Sequence, residues 1–422
     1  MDRVLEIFET ITKLPHCSKD TEALKDFIIS FAKSNGYEVL VDSAKNILIK
    51  KGKTPLILQA HYDMVCVGKA PEIEIIRKGN FLSAKESSLG ADNGAAIAMM
   101  LRLIEKKEEL GFLFTNDEEI GLIGAKEIEF DLREFKYLLN LDSEEEGVIY
   151  LGCAGGADII ASKELQMIDS NSREFFELSI KNLPGGHSGI DIDKNIPNAI
   201  IELSKFIKEL DGEIAWIEGG ERINSIPTKA KAIISTKNTP ISNQIEIKKV
   251  EPKRVFKDSK EILELILSLP NGVIEKNSKF NIPQSSANLA LINTKDEKIT
   301  IQISLRSMSN SDLENLIKET KELFFKFGFE IAVKDRYPAW TPKETEFVEK
   351  LKNILKKDYS NLSTKAIHAG LECGVLSQKY PNLEFASIGP NIYNPHSIRE
   401  KLDLDSLRRV YSSLKKIIKE FN

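Results

Sequence analysis

Histidine is scarce in this chain of 422 residues: there are five, at His16, His61, His187, His368 and His396. Cysteine is scarcer, and Cys17, Cys66, Cys153 and Cys373 lie far apart with no Cys-x-x-Cys pair. That spacing argues against a disulfide framework and makes a reducing cytoplasm the expectation. No apolar run reaches the ~18–20 residues of a membrane span; the longest, Ala95–Ile104, is broken by Arg102. Charge of one sign is also missing. The 59 basic and 64 acidic residues leave a net charge of −5, so neither nucleic acid nor an anionic membrane is an expected partner. The N-terminal residues lack the apolar stretch of a secretory signal, because Asp2, Glu6 and Glu9 interrupt it. Internal repeats and low-complexity segments are absent as well.

What remains is an ordinary globular composition, 41% apolar and 29% charged. At ~100–200 residues per domain, the length fits two or three domains, or one large domain with an insertion. Short apolar runs alternate with helical periodicity from Thr21 to Gly156. The runs are Tyr37–Val41, Asn46–Lys50, Pro55–Ala60, Gly111–Thr115 and Tyr137–Leu141; the helical stretches include Thr21–Ser34, Ala95–Ile104 and Leu122–Ile128. This pattern predicts an α/β layer with a largely parallel sheet. Beyond Gly156 the strands Phe175–Ile180, Lys231–Thr236, Ala287–Ile292 and Ile299–Leu305 read as antiparallel, with helices near Pro197–Leu210, Lys260–Leu269 and Leu313–Phe327. Helix–strand alternation resumes after Pro342, through Leu383–Ile388 to an amphipathic helix over Asp405–Phe421. The expected organisation is an α/β domain of residues 1–159 and 338–422, interrupted by an inserted α+β domain over 160–337.

The residues with chemistry in them cluster at particular places in this pattern. His61, Asp63, Glu118, Glu119 and Asp142 stand at or just past the carboxyl ends of apolar runs, and Asp92 sits in the turn Leu89-Gly-Ala-Asp-Asn-Gly94 before a helix. Open α/β sheets bind ligands outside the carboxyl ends of their strands. Taken singly, each motif has a plain reading: a loop pair, a helix cap, a solvated acidic loop. Taken together with His396, they offer imidazoles and carboxylates without thiolate, a set that suits Zn²⁺, Mn²⁺ or Co²⁺ in a catalytic two-metal site. Cys153 and Cys373 read as small packing residues, His16 as a turn residue, and Tyr337 and Trp340 as aromatics packed near the domain boundary.

Several segments, in order along nearly the whole chain, carry a resemblance. They are His61-Tyr-Asp-Met-Val65, Leu89–Gly94, Thr115-Asn-Asp-Glu-Glu-Ile-Gly121, Leu141-Asp-Ser-Glu-Glu-Glu-Gly147, Gly152-Cys-Ala-Gly-Gly156, Gly186-His-Ser-Gly189, His368-Ala-Gly-Leu-Glu-Cys-Gly374 and His396. The chain resembles the M20 metallopeptidases, and among them the Xaa-His dipeptidase (PepD, aminoacyl-histidine dipeptidase) branch. The resemblance implies a zinc-peptidase-like α/β catalytic domain with an inserted α+β lid of the dimerisation type, and a likeness to homodimers.

It also implies residue roles. His61 and Asp142 would bind one metal, Glu119 and His396 the other, and Asp92 would bridge them; zinc is the expected metal, with Mn or Co as options. Asp63 would orient His61, Glu118 would be the general base, and His187 would donate to the oxyanion. Arg306 would pair with a dipeptide carboxylate, Asn288 would add a polar contact, and Glu372, with His368 beside it in the same segment, would meet the substrate's α-ammonium. The implied activity is hydrolysis of unblocked dipeptides, including Xaa-His, by a metal-activated water. The alternatives are an N-acyl amino acid deacylase or a tripeptidase of the same family, and a pseudoenzyme that keeps the fold. The segment between Val65 and Gly90 is shorter than in the branch, which bears on substrate preference and leaves the ligand set complete.

Overall fold

The computed structural model describes residues 2–170, 174–251 and 254–421. The chain divides into two compact units. One comprises Met1–Cys153, Trp340–Ala366 and Leu371–Asn422, and the other Ala154–Ala339 with Ile367–Gly370.

The first unit is built on an eight-stranded sheet. Its order is Glu38–Val41, Ile47–Lys50, Gly111–Thr115, Leu56–His61, Tyr137–Asn140, Glu384–Ser387, Val148–Cys153, Ser363–Ile367. The sheet is mixed rather than largely parallel. Gly111–Thr115, Leu56–His61, Tyr137–Asn140 and Glu384–Ser387 run parallel to their neighbours, and the strands flanking this group are antiparallel to it. Connection length explains the difference. Asp42–Asn46 is too short to return a strand in any sense but antiparallel, whereas helix Ala91–Glu105 lies in the crossover from Leu56–His61 to Gly111–Thr115. Leu56–His61, Gly111–Thr115 and Tyr137–Asn140 are buried at every position, which is why each reads as a mostly apolar run. The closing helix Leu404–Phe421 buries Leu407, Val410, Leu414, Ile417 and Phe421 along one stripe.

The second unit carries a nine-stranded sheet whose registered pairs are all antiparallel. Helices Ala199–Glu209, Ser259–Ser268 and Asn310–Lys326 bury apolar faces in its core. The strands expected at Ala287–Ile292 and Ile299–Leu305 are longer, Ile282–Lys295 and Lys298–Ser307. The unit also begins earlier than residue 160. Gly155–Glu164 is one continuous strand that pairs with Lys298–Ser307 from Gly155↔Ser307 onward, so the division falls before it. Residues 367–370 join this unit because Ala154 N–H donates to both the Ile367 carbonyl (3.0 Å) and the Ala369 carbonyl (3.1 Å).

The cysteine expectation is corrected. Cys17 and Cys66 form a disulfide across 49 residues of sequence. Met64 N–H donates to the His16 carbonyl and Ser18 N–H to the Met64 carbonyl, and this local pairing brings the two Cα atoms to 5.5 Å. Sequence separation does not report that proximity. Cys153 and Cys373 are buried thiols. Among the described residues, no helix is long and apolar enough to cross a membrane.

Candidate metal centre

Strand register places the site. His61 is opposite Thr115, and Gln59 is opposite Asn140, in parallel pairing. The chain beyond Thr115 and beyond Asn140 therefore leaves the sheet at the edge where His61 ends its strand. Glu118, Glu119 and Asp142 follow within a few residues. Ser387 is also opposite Asn140, and the loop after it leads to His396. Asp92 enters from the turn that opens helix Ala91–Glu105. Gly90 there has φ 70°, and a Cβ on it would lie 2.9 Å from Met64 Sδ, so glycine suits the position.

The side chains converge within this first unit. His61 Nε2 lies 3.2 Å from Asp92 Oδ1 and 3.2 Å from Asp142 Oδ1. His396 Nε2 lies 3.0 Å from Asp92 Oδ2 and 2.9 Å from Glu119 Oε1. Asp92 thus turns one oxygen to each imidazole. Three overlapping groups have ligand atoms within 4.8 Å of one another: His61, Asp92 and Asp142; Asp92, Glu119 and His396; His61, Glu118 and Glu119.

The electrostatics fit divalent cations. Burial and the neighbouring Asp92 charge push the Glu119 carboxyl up to about 7. Burial raises Asp142 to about 6 against the pull of His61, and burial with the Glu119 charge holds Glu118 well above the usual carboxylate range. Burial opposes a charge on His396, but Asp92 and Glu119 outweigh it and push the ring up to about 12. His61 is raised well above its ordinary value in the same way, chiefly by Asp142. Among the described residues, the ion-pair partners of Asp92, Asp142 and Glu119 are imidazoles, not lysine or arginine. Crowded carboxylates with oxygen and nitrogen lone pairs turned inward are the donor set for Zn²⁺ or Mn²⁺.

Cation binding should therefore release protons. A ligating imidazole is neutral, whereas the surrounding carboxylates raise His61 and His396 and favour their protonated forms, so protons leave on binding and apparent affinity rises with pH. Calorimetric titration in buffers of different ionisation enthalpy measures this. A binding enthalpy independent of buffer would contradict it.

Buried polar residues support the cluster from below. His61 Nδ1 donates to the Asp63 carbonyl at 3.0 Å, with the Asp63 carboxylate 3.4 Å away. That carboxylate also accepts from Glu118 N–H (2.9 Å), Glu119 N–H (3.3 Å) and Ser18 Oγ (2.7 Å). Asp63 thus sets both the ring orientation and the acidic turn. Glu372, expected to meet an α-ammonium, is instead fully buried. Its Oε2 accepts from Gln59 Nε2 (2.6 Å) and Thr115 Oγ1 (2.7 Å), and Asn140 Nδ2 donates to Gln59 Oε1 (2.6 Å). The other Glu372 oxygen, Oε1, is buried with no hydrogen-bond partner among the described residues. Gln59 and Asn140 belong to no motif, and Thr115 only opens one. Their signal was a polar residue inside a buried apolar run, where it must find a partner.

The remaining candidate residues lie in the second unit. A Cβ on Gly189 would lie 3.2 Å from Arg306 Nε and 3.3 Å from His187 Cε1, so these side chains are neighbours. His187 Nδ1 accepts from Gly189 N–H (3.2 Å) and Ile190 N–H (3.1 Å), which puts the neutral ring's proton on Nε2. Arg306 is 8% exposed and donates to Tyr337 Oη (2.7 Å), while its Nε has no hydrogen-bond acceptor among the described residues. Asn288 donates to the Ser225 carbonyl (2.9 Å), and its buried Oδ1 has no donor. His368 Nε2 bonds Ser286 Oγ (2.7 Å), and burial with the adjacent Arg306 charge pulls the ring down to about 3, so it is neutral.

A cytosol non-specific dipeptidase of Escherichia coli (strain K12) is 30% identical over 472 residues, which cover 98% of this chain and 96% of the relative. The crystal structure of an aminoacylhistidine dipeptidase from Vibrio alginolyticus superposes with a TM-score of 0.83 at 28% identity, covering 100% of this chain and 96% of that one. An aminopeptidase PepT from Bacillus cereus shares the fold, with a TM-score of 0.66 at 18% identity over 100% of this chain and 98% of that one. Residues 57–420 match the peptidase family M20/M25/M40 along their length, so this chain is a metallopeptidase of that family and a homologue of its dipeptidases.

Proposed function

We propose that the protein is a dipeptidase that uses two divalent cations, zinc in the first instance, to hydrolyse unblocked dipeptides, Xaa-His among them. The observation that carries this reading is Asp92, with one oxygen toward His61 and the other toward His396. Asp142 and Glu119 complete the two sides. Two cations held there would acidify a shared water and polarise the scissile carbonyl. Glu118 is the base: it takes the water's proton and passes it to the leaving amine. Desolvation and the Glu119 charge raise its carboxyl, which makes it a stronger base than a solvated glutamate. His187, protonated on Nε2, is the donor to the oxyanion.

Arg306 is assigned to the substrate carboxylate, supported by its burial and the Nε without an acceptor. Asn288 Oδ1 offers a further polar contact. Arg306→Ala should cost dipeptides about 2–4 kcal/mol in kcat/KM, as when one partner of a buried charge pair is removed. A C-terminally amidated dipeptide should be nearly indifferent. Equal losses on both substrates would make Arg306 structural.

A cytosolic setting and a homodimer are part of the proposal. The E. coli relative is described as a cytosol dipeptidase; in such a reducing compartment Cys17 and Cys66 would stand as neighbouring thiols held together by the backbone pairing around them. The strands Glu246–Val250 and Glu330–Tyr337 lie at the ends of the second unit's sheet and offer edges for pairing. The deciding experiment is a panel of free, amidated and N-acylated dipeptides, with tripeptides, on Zn²⁺- and Mn²⁺-reconstituted enzyme. Preference for free dipeptides supports the reading. Preference for acylated amino acids or tripeptides overturns it in favour of a deacylase or a tripeptidase.

A further inference from the structure

Glu400 is 2% exposed, and no Lys or Arg pairs with it among the described residues. It lies four residues after His396, just before the short strand Lys401–Asp403. Its Oε2 accepts from Leu89 N–H (2.7 Å) and Gly90 N–H (3.1 Å). Its Oε1 accepts from Ala91 N–H (2.7 Å) and Asp92 N–H (3.2 Å). One carboxylate thus gathers the N–H groups of four successive residues, the whole turn that opens helix Ala91–Glu105.

The turn has little else to hold it. The first N–H groups of a helix have no acceptor within the helix. The residue at the cap position is Gly90, in the left-handed region, and it has no side chain to supply one. Four converging N–H groups form a nest that favours an anion, and Glu400 fills it from within the chain. The last of the four belongs to Asp92, whose carboxylate faces both imidazoles, and one of those imidazoles is on the segment that carries Glu400. The backbone that presents Asp92 and the backbone that presents His396 are therefore tied together by one side chain.

We propose that Glu400 is a positioning residue of the metal centre. It builds the Leu89–Asp92 turn before any cation arrives and so sets the span between Asp92 and the two imidazoles. The proposal rests on the two-cation reading of the site. The opposed arrangement is one in which the cations themselves order the turn.

Two measurements separate these. In hydrogen–deuterium exchange of the metal-stripped wild-type chain, the amides of Leu89–Asp92 should exchange as slowly as after addition of Zn²⁺. Fast exchange that slows only with Zn²⁺ would overturn the proposal, whatever the behaviour of variants. Glu400→Gln is isosteric, but it sets an NH₂ group against two of the four N–H donors. Titrated with Co²⁺ and followed by its visible absorption, the variant should bind at least ~10-fold more weakly, the lower end for losing a partner outside the ligand shell.

Asn198→Ala is the control for lost stability alone. Asn198 caps helix Ala199–Glu209 in the second unit, accepting from Ile200 N–H (3.0 Å) and Ile201 N–H (3.4 Å). Its loss should lower the melting temperature and leave Co²⁺ affinity unchanged. Wild-type Co²⁺ affinity and spectrum in Glu400→Gln would overturn the positioning role. If the wild-type chain took up no cation, the two-cation reading would fall and this inference with it.

Discussion

Glu118→Gln should retain both cations and lose at least ~10²–10⁴-fold in kcat, the range for removal of a general acid–base group. The substitution keeps size and shape. It also keeps the turn, because Asp63 holds that turn through the backbone N–H groups of Glu118 and Glu119 rather than through their side chains. What is removed is a half-buried carboxyl raised by desolvation and by its neighbour Glu119, the type of group suited to move a proton in catalysis. Metal analysis after dialysis, paired with steady-state kinetics, reads the two effects separately. Full activity with full metal would make the acidic turn a bystander. Loss of one cation would exchange the roles of Glu118 and Glu119.

Asp92→Asn should have the opposite signature. Each oxygen of Asp92 faces a different imidazole, so the amide sets an NH₂ group at one position and removes the negative charge from both. A neutral amide is a poor ligand beside a carboxylate. Affinity for both cations should fall by more than the ~10–100-fold typical of losing an outer partner, and activity should fall with occupancy. Glu119→Gln acts mainly on the His396 side, where Oε1 is paired. Added Zn²⁺ or Mn²⁺ should partly restore Glu119→Gln, should restore Asp92→Asn poorly, and should leave Glu118→Gln inactive. Retention of two cations by dialysed Asp92→Asn would remove Asp92 from the bridging position.

The sequence by itself determined what depends on local pattern. Buried strands such as Leu56–His61 and Gly111–Thr115 are apolar at nearly every position, so their extent and the residues at their ends were readable. The chemistry of His61, Asp92, Glu119, Asp142 and His396 was readable as well, because imidazoles and carboxylates next to such strands are costly to bury without a purpose. Tertiary structure decided what depends on residues distant in the chain. Cys17 meets Cys66 because the segments on either side pair through the backbone, which no spacing rule encodes. The sheet is mixed because its direction follows from connection lengths and pairing partners rather than from strand composition. Glu372 lies beneath the site and Glu400 inside the Asp92 turn. A carboxylate's role is set by which donors surround it, and for Glu372 and Glu400 those donors lie more than 250 residues away.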